Sequence, residues 1–562
     1  MTAGPGLPGP GEPADWPGSD WAGSDWAGSA WAGSDWAGAA RAWVADDPDP
    51  VTRAELLALV AAGAVATLRE RLDGRLAFGT AGLRGPVRAG PTGMNSAVVR
   101  RAAAGLAAVL GPGRSVVVGR DARHGSAAFA MDTARVLTGA GLRALVLPRP
   151  LPTPVTAFTA RRLGADAAVM VTASHNPAAD NGYKVYLPDA QIVPPADAEI
   201  EAAMLAAGPV AALPLGDPGE ALGEDAVVAY VEAVVGCSLV PHRGLRMAYT
   251  PLHGVGAAGW LDVLARAGFP PPAVMAAQAE PDPDFPTVAF PNPEEPGAMD
   301  AVLALGSATG AQLVLAHDPD GDRLAAAEDG RVFTGDELGA LLADHVLAHA
   351  APGVLVATTV VSSRLLGRLA AARGATYAET LTGFKWLVRA GEAGGPELVF
   401  AYEEALGYAV APGLVRDKDG ISAGLLLAER AAELRAAGSS LVARLDELAR
   451  ELGLHVTAQV SVRLASPAAG AAAVDAFRAD PPGPLVDLAL GAGGLPPTDG
   501  VVLTMASAAD GGPVRVVVRP SGTEPKLKLY LEAVREAGDD LAGQRAALRA
   551  DLLAVAAALL DR

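Results

Sequence analysis

Three carboxylates stand at alternate positions in Asp318-Pro319-Asp320-Gly321-Asp322, directly after the apolar run 313–316. If the loop curls, their oxygens meet at one locus, and three crowded anions are unfavourable unless a cation neutralises them. An all-oxygen donor set suits Mg²⁺, and three protein ligands leave it positions for a phosphate oxygen. A calcium EF-hand does not fit, because the sixth position is Arg323 rather than Gly and the twelfth is Asp329 rather than Glu. A second apolar run, Val169-Met170-Val171, enters Thr172-Ala173-Ser174-His175-Asn176-Pro177. A strand ending there puts reactive atoms at the carboxyl edge of a sheet, where open α/β sheets bind ligands. Ser174 is then a candidate nucleophile, His175 a candidate proton carrier, and Lys184 a cation for an anionic substrate.

Two further loops carry complementary chemistry. Arg519-Pro520-Ser521-Gly522-Thr523-Glu524-Pro525-Lys526-Leu527-Lys528 offers a guanidinium, two hydroxyls and glycine-freed backbone N–H groups, the parts of a phosphate clamp. Glu403-Glu404, near a glycine at a strand end, could accept hydrogen bonds from sugar hydroxyls; taken alone it reads equally as a surface acidic pair. Each of the other loops also has a plainer reading as a solvated polar turn, and it is their company that argues for a site. Lysine usage points the same way. Of 44 Lys+Arg only Lys184, Lys385, Lys418, Lys526 and Lys528 are lysines, each in a polar segment containing glycine or proline. Codon bias explains the scarcity but not the placement, since a compact ammonium does not replace a guanidinium at a tight site.

Two glycine motifs point elsewhere. Gly254-Val-Gly256-Ala-Ala-Gly259 satisfies the dinucleotide fingerprint, which would suggest a nicotinamide-dependent oxidoreductase. Yet Pro251-Leu252-His253 separates it from its strand, and that strand is not the first of its block. Gly420-Ile-Ser422-Ala-Gly424 matches a hydrolase nucleophile elbow, but a charged loop precedes it rather than a buried strand.

Around these loops, strand-like runs at 115–118, 143–147 and 167–171 alternate with helical patterns at 96–110 and 127–138. The pattern predicts a parallel, helix-covered sheet. It restarts with strands at 245–249 and 313–316, again at 354–357 and 398–401, and a last block carries 514–518. A helix is expected over 53–72 and a linker over 208–219. Residues 1–40, with tryptophans at 16, 21, 26, 31 and 36, have a period matching neither helix nor strand and read as a disordered tail.

At 562 residues the chain exceeds a single core. Its net charge of −19 argues against nucleic acid and anionic membranes. The one cysteine, Cys237, permits no internal disulfide. With no long uncharged apolar run and no secretory pattern, a cytoplasmic protein is expected.

Together the motifs resemble the α-D-phosphohexomutases, the family of phosphoglucomutases and phosphomannomutases, over roughly residues 43–562. Residues 172–177 resemble its phosphoserine loop, 318–323 its metal loop, 403–407 its sugar loop and 519–525 its phosphate loop. G-T-A-G-L-R-G at 79–85, T-P-L-H-G-V-G at 250–256, T-L-T-G-F-K-W at 380–386 and V-R-D-K-D-G at 415–420 extend the match. They resemble the branch that also contains phosphopentomutases.

The resemblance implies an α/β, four-domain architecture around a central cleft: three doubly wound domains (41–207, 208–331, 332–450) and a smaller α+β domain (451–562). It implies an isomerase-class phosphotransferase acting between C1 and C6 of a hexose phosphate, through phosphorylated Ser174 and a hexose 1,6-bisphosphate. A phosphopentomutase is the alternative. Mg²⁺ would be held by Ser174, Asp318, Asp320 and Asp322, with His175, Arg84 and Lys184 handling protons and charge. Substrate contacts would come from Arg323, Thr382, Gly383, Lys385, Glu403, Ala405, Lys418, Arg519, Ser521, Gly522, Thr523 and Lys528. Partners would be the sugar phosphate alone, in a monomer or homodimer. Two departures bear on sugar preference: Ala405 stands where the family often has serine, and Tyr408 where many bacterial members have histidine.

Overall fold

The computed structural model describes residues 35–79, 82–188, 190–392, 394–488, 500–507, 509–520 and 526–561. The first sheet holds β1 (Leu83–Pro86), β2 (Ser115–Arg120), β3 (Arg143–Val146), β4 (Ala167–Val171), β5 (Asp180–Tyr186) and β6 (Glu220–Ala221), in the order β1-β5-β4-β2-β3-β6. The second holds β7 (Met247–Thr250), β8 (Ala273–Val274), β9 (Leu313–His317), β10 (Leu324–Glu328) and β11 (Arg331–Val332), ordered β11-β10-β9-β7-β8. The third is β12 (Leu355–Thr359), β13 (Thr376–Thr380), β14 (Leu398–Glu403) and β15 (Gly407–Ala409), ordered β13-β12-β14-β15. The fourth is β16 (Leu454–Arg463), β17 (Leu485–Asp487), β18 (Val501–Ala506), β19 (Pro513–Pro520) and β20 (Lys526–Arg535), ordered β16-β20-β19-β18-β17 and antiparallel throughout.

The first three sheets have parallel centres, as the alternation predicts, but each turns antiparallel towards one edge. After β4, β9 and β14 the chain turns straight back into an antiparallel neighbour. Met170 lies opposite Lys184, His317 opposite Leu324, and Glu403 opposite Gly407. Parallel neighbours need a crossover of a dozen or more residues, whereas antiparallel ones need only a short turn. The polar loops 172–179, 318–323 and 404–406 are therefore short and anchored at both ends. In the fourth sheet β19 and β20 pair in the same way, with Pro520 opposite Leu527. The intervening residues, including the expected phosphate-binding Ser521, Gly522 and Thr523, lie outside the described residues.

Burial anchors these loops further. Val169, Met170 and Val171 are fully buried, each worth about 1.5–3 kcal/mol relative to exposure. The fourth sheet docks on the third through Val360 and Val361 against Val517 and Tyr530. Glu532 closes that interface, accepting from Ser363 Oγ at 2.7 Å and Arg364 Nε at 3.0 Å, with His455 Nδ1 2.9 Å away.

Three expectations need correction. The helix expected over 53–72 is two, Pro50–Ala61 and Val65–Leu72, because Gly63 takes a left-handed φ of 61° between them. The expected tail is helical from Trp36, since Asp35 caps Trp36–Asp46 and accepts from the Gly38 N–H at 2.8 Å; residues 1–34 lie outside the described residues. The expected linker 208–219 is packed: Val210 and Leu213 are buried, and the chain after it adds β6 to the first sheet.

Candidate active site

Ser174 is 1% exposed and holds a left-handed φ of 54°, unusual for a residue with a side chain. Its N–H donates to Thr172 Oγ1 at 2.8 Å, and its Oγ donates to Asp318 Oδ2 at 2.8 Å. The nucleophile loop and the acidic loop, 144 residues apart in sequence, thus meet at a hydroxyl. Asp318, Asp320 and Asp322 are fully buried, and their ligating oxygens lie within 4.8 Å of one another. Asp320 Oδ1 and Asp322 Oδ1 are buried with no hydrogen-bond partner among the described residues. Three clustered aspartates with carboxylate oxygens left unpartnered fit a hard divalent cation.

The remaining oxygens are fixed by the protein. Thr153 donates to Asp320 twice, Oγ1 to Oδ2 at 2.6 Å and N–H to the carbonyl at 2.9 Å. Lys184 Nζ donates to Asp320 Oδ2 at 2.7 Å and Asp322 Oδ2 at 2.8 Å. Burial opposes its charge, but the two aspartates outweigh burial and hold the ammonium above its ordinary pKa. Burial and the neighbouring carboxylates push Asp318 well above the usual range; Asp320, buried too, is held well below it by Lys184. The Arg323 N–H donates to Asp318 Oδ1 at 3.0 Å, while its guanidinium donates to the Ala405 carbonyl and lies 3.7 Å from Glu403. Lys418 Nζ is 3.4 Å from both Asp322 and Asp417.

His175 differs from these cations. Burial, then Arg323 and Arg84, drive its pKa well below 6.5, so the imidazole is neutral, and its Nδ1 is buried without a partner among the described residues. Arg84 donates to Asn176 Oδ1 at 3.3 Å. On the sugar-loop side, Glu404 accepts from Thr359 at 3.3 Å and Ser362 at 3.1 Å, and burial raises its pKa. Tyr408 is fully buried and donates to the Gly335 carbonyl at 3.3 Å, so its hydroxyl is committed away from the cleft.

Arg519 donates to Thr382 Oγ1, joining the fourth sheet to the loop that ends in Gly383. The field of Lys528 reaches Glu404. Lys385 stands apart: its ammonium lies 6.0 Å from the Trp386 ring centroid, and its charged neighbours are Asp197 and Arg389 rather than any site carboxylate.

Several functional positions were invisible in sequence. Thr153 has no local motif, and Asp417, inside the 415–420 motif, was given no role there. Glu294 belongs to a proline-rich segment of the second domain, yet it lies in the field of Arg323, Glu403, Glu404 and Lys528. Its side chain is exposed, but the protein packed around it and the two glutamates lift its carboxyl to about 7. Both stray glycine motifs serve the acidic loop. A Cβ on Gly254 would lie 2.3 Å from Pro319 Cα, and one on Gly420 would lie 2.4 Å from the Arg323 carbonyl oxygen.

Four family models match in chain order. Phosphoglucomutase/phosphomannomutase alpha/beta/alpha domains I, II and III match residues 75–209, 228–331 and 334–451, and the C-terminal domain matches 461–548. The Haemophilus influenzae protein named "Probable phosphomannomutase" is 40% identical over 459 residues, covering 78% of this chain and 93% of its own. The mouse phosphopentomutase is 34% identical over 461 residues, covering 74% of each chain. A crystal structure of a phosphoglucomutase/phosphomannomutase family protein from Burkholderia thailandensis shares the fold, with a TM-score of 0.66 at 24% identity over 86% of this chain and 97% of that one. With every domain matched in order, the chain belongs to the phosphoglucomutase/phosphomannomutase family and is a phosphomutase of the α-D-phosphohexomutase superfamily.

Proposed function

We propose that the chain interconverts hexose 1- and 6-phosphates, of glucose or mannose, through phosphorylated Ser174 and a hexose 1,6-bisphosphate. The observation that carries this reading is the buried Ser174 Oγ, 2.8 Å from the first of three convergent carboxylates. In the first transfer, the free hydroxyl oxygen of the sugar phosphate forms a bond to phosphorus as the Oγ–P bond breaks. The hydroxyl proton passes to a base, and of His175, Arg84 and Lys184 only the neutral His175 has a vacant acceptor. Lys184 and Arg84 balance charge at the leaving Oγ. Mg²⁺ held by Asp318, Asp320, Asp322 and a phosphoserine oxygen would supply charge neutralisation of the transferring group.

The bisphosphate then turns over, and its other phosphate returns to Ser174. Arg519, with Ser521, Gly522, Thr523 and Lys528, holds whichever phosphate is idle, while Glu403 reads hydroxyls common to both poses. Closure of the fourth domain excludes water that would hydrolyse the phosphoserine. The single cysteine supports a cytoplasmic setting.

A pentose substrate is the second reading, supported by the mouse relative's name and by a sugar loop with no hydroxyl at Ala405. A panel of glucose 1-phosphate, mannose 1-phosphate and ribose 1-phosphate, with Mg²⁺ and a trace of glucose 1,6-bisphosphate, separates the two by kcat/KM. A hexose preference is expected; a pentose preference would transfer the assignment to phosphopentomutase.

Glu294 gives the reaction a pH limb. Its carboxyl is raised to about 7, so it is protonated below that pH and ionised above it. Once ionised it adds a negative charge to a region shared by Glu403, Glu404, Arg323 and Lys528. The kcat/KM of the native enzyme is expected to fall between about pH 7 and about pH 9, a limb distinct from the substrate phosphate, which titrates near about pH 6. Glu294→Gln flattens that limb, and an unchanged profile in this variant would remove Glu294 from the account.

A further inference from the structure

One buried cation beneath the nucleophile loop has no part in the chemistry above. Arg123, 4% exposed, lies between β2 and the helix Ser126–Gly139. Its Nη2 donates to the carbonyls of Ser174 at 2.6 Å and Asn176 at 2.5 Å, and its Nη1 to those of Pro177 at 2.8 Å and Asp180 at 3.1 Å. Three carbonyls of the loop and that of Asp180, where β5 begins, converge on a single planar fork, a geometry that three rotatable ammonium donors do not reproduce. Asp121 fixes the arginine in turn, its Oδ1 accepting from the Arg123 N–H at 3.0 Å and Ser126 Oγ at 2.6 Å.

The same guanidinium lies 4.8 Å from the ring centroid of Phe285, a residue of the second domain. A gap of about 10 Å³ marks this seam, lined by Asp121, Arg123, Gly254, Phe285 and Pro319 among others. Pro319 is inside the acidic loop, so the seam connects the two halves of the site. Pinning the Ser174 carbonyl has a local consequence as well. Across a planar trans peptide the His175 N–H points the opposite way. It has no partner among the described residues, and a free amide beside the nucleophile suits a phosphoryl oxygen.

We propose that Arg123 is a positioning residue: it holds Ser174 in its left-handed conformation and, by stacking on Phe285, keeps the nucleophile in register with the acidic loop. This rests on the mutase reading. Misplacing a nucleophile by about 1 Å costs about 100-fold in rate. Arg123→Ala is therefore expected to lose about 100-fold in kcat while the KM for the sugar phosphate changes less than about threefold. Arg123→Lys should recover little, and added guanidinium ion should restore about tenfold of the Ala loss without affecting Ser174→Ala. Phe285→Ala, which leaves the four carbonyl contacts in place, should lower kcat by about tenfold with folding intact by circular dichroism.

Native kcat in Arg123→Lys would overturn the proposal. So would an Arg123→Ala loss shared equally by KM and unrescued by guanidinium. If Arg123→Ala does not fold, native kcat in Phe285→Ala overturns the coupling. Absence of turnover in the native enzyme would instead strike the mutase reading itself.

Discussion

Ser174→Ala is expected to abolish mutase turnover, a loss of at least about 10⁴-fold, equivalent to about 5.5 kcal/mol of transition-state stabilisation. The loss should exceed that from any neighbouring residue because, in the proposed mechanism, Oγ is the atom to which phosphorus is bound between half-reactions. Without it the proposed phosphoserine cannot form, and Thr172 Oγ1, the nearest other hydroxyl of the loop, accepts from the Ser174 N–H. The check is twofold. Turnover of glucose 1-phosphate is measured alongside incorporation of labelled phosphate from the 1,6-bisphosphate, and both should vanish together.

Ser174→Gly supplies the control for folding. The native φ of 54° is costly for any residue with a Cβ and free for glycine, so this variant should be as inactive as the alanine one while unfolding no more easily. Retained turnover in either variant would end the phosphoserine assignment. Inactivity in alanine with activity in glycine would show instead that backbone geometry, rather than the hydroxyl, was at stake.

How much of this was legible in the chain depended on distance along it. The carboxylates of Asp318, Asp320 and Asp322 are two residues apart, so their convergence follows from one short loop. The Val169–Val171 run ends at Ser174 within three residues, so its placement at a sheet edge was equally readable. Thr153, Arg123 and Glu294 reach the same cleft from segments whose local sequence has no chemical signature. The contacts of Thr153 and Arg123 span 167 and 51 residues, and the charges around Glu294 come from other segments, which only the assembled fold defines. The antiparallel return after β4, β9 and β14 was likewise hidden, because apolar periodicity reports a strand but not its direction. The glycines of 254–259 and 420–424, set aside in sequence for their context, have their reason only in the fold. A glycine pattern records close approach of something, and at Gly254 and Gly420 the visitor is the acidic loop.

Removing the divalent cation should be the second large effect, and Lys184 determines how the protein tolerates it. The buried locus contains three aspartates, with Lys184 at 2.7 and 2.8 Å from two of them and Lys418 at 3.4 Å from one. Chelation is expected to stop turnover in the native enzyme while leaving it folded, because Lys184 continues to offset the carboxylates. Asp320→Asn removes one orphaned oxygen and one anion at once, so it should lose turnover by at least about 10³-fold and abolish any rise in unfolding temperature on adding Mg²⁺. Lys184→Met should behave oppositely in the metal-free state. Stripping one partner from a buried ion pair costs about 3–5 kcal/mol, so this variant should unfold at a lower temperature in chelator and regain stability on adding Mg²⁺. Its gain from Mg²⁺ should exceed that of the native chain, since the cation then relieves a repulsion that Lys184 otherwise suppresses. Equal gains in the two proteins, read by thermal unfolding without substrate, would mean that the ion and Lys184 do not share the triad. No gain in either protein would mean that the three carboxylates do not bind the ion.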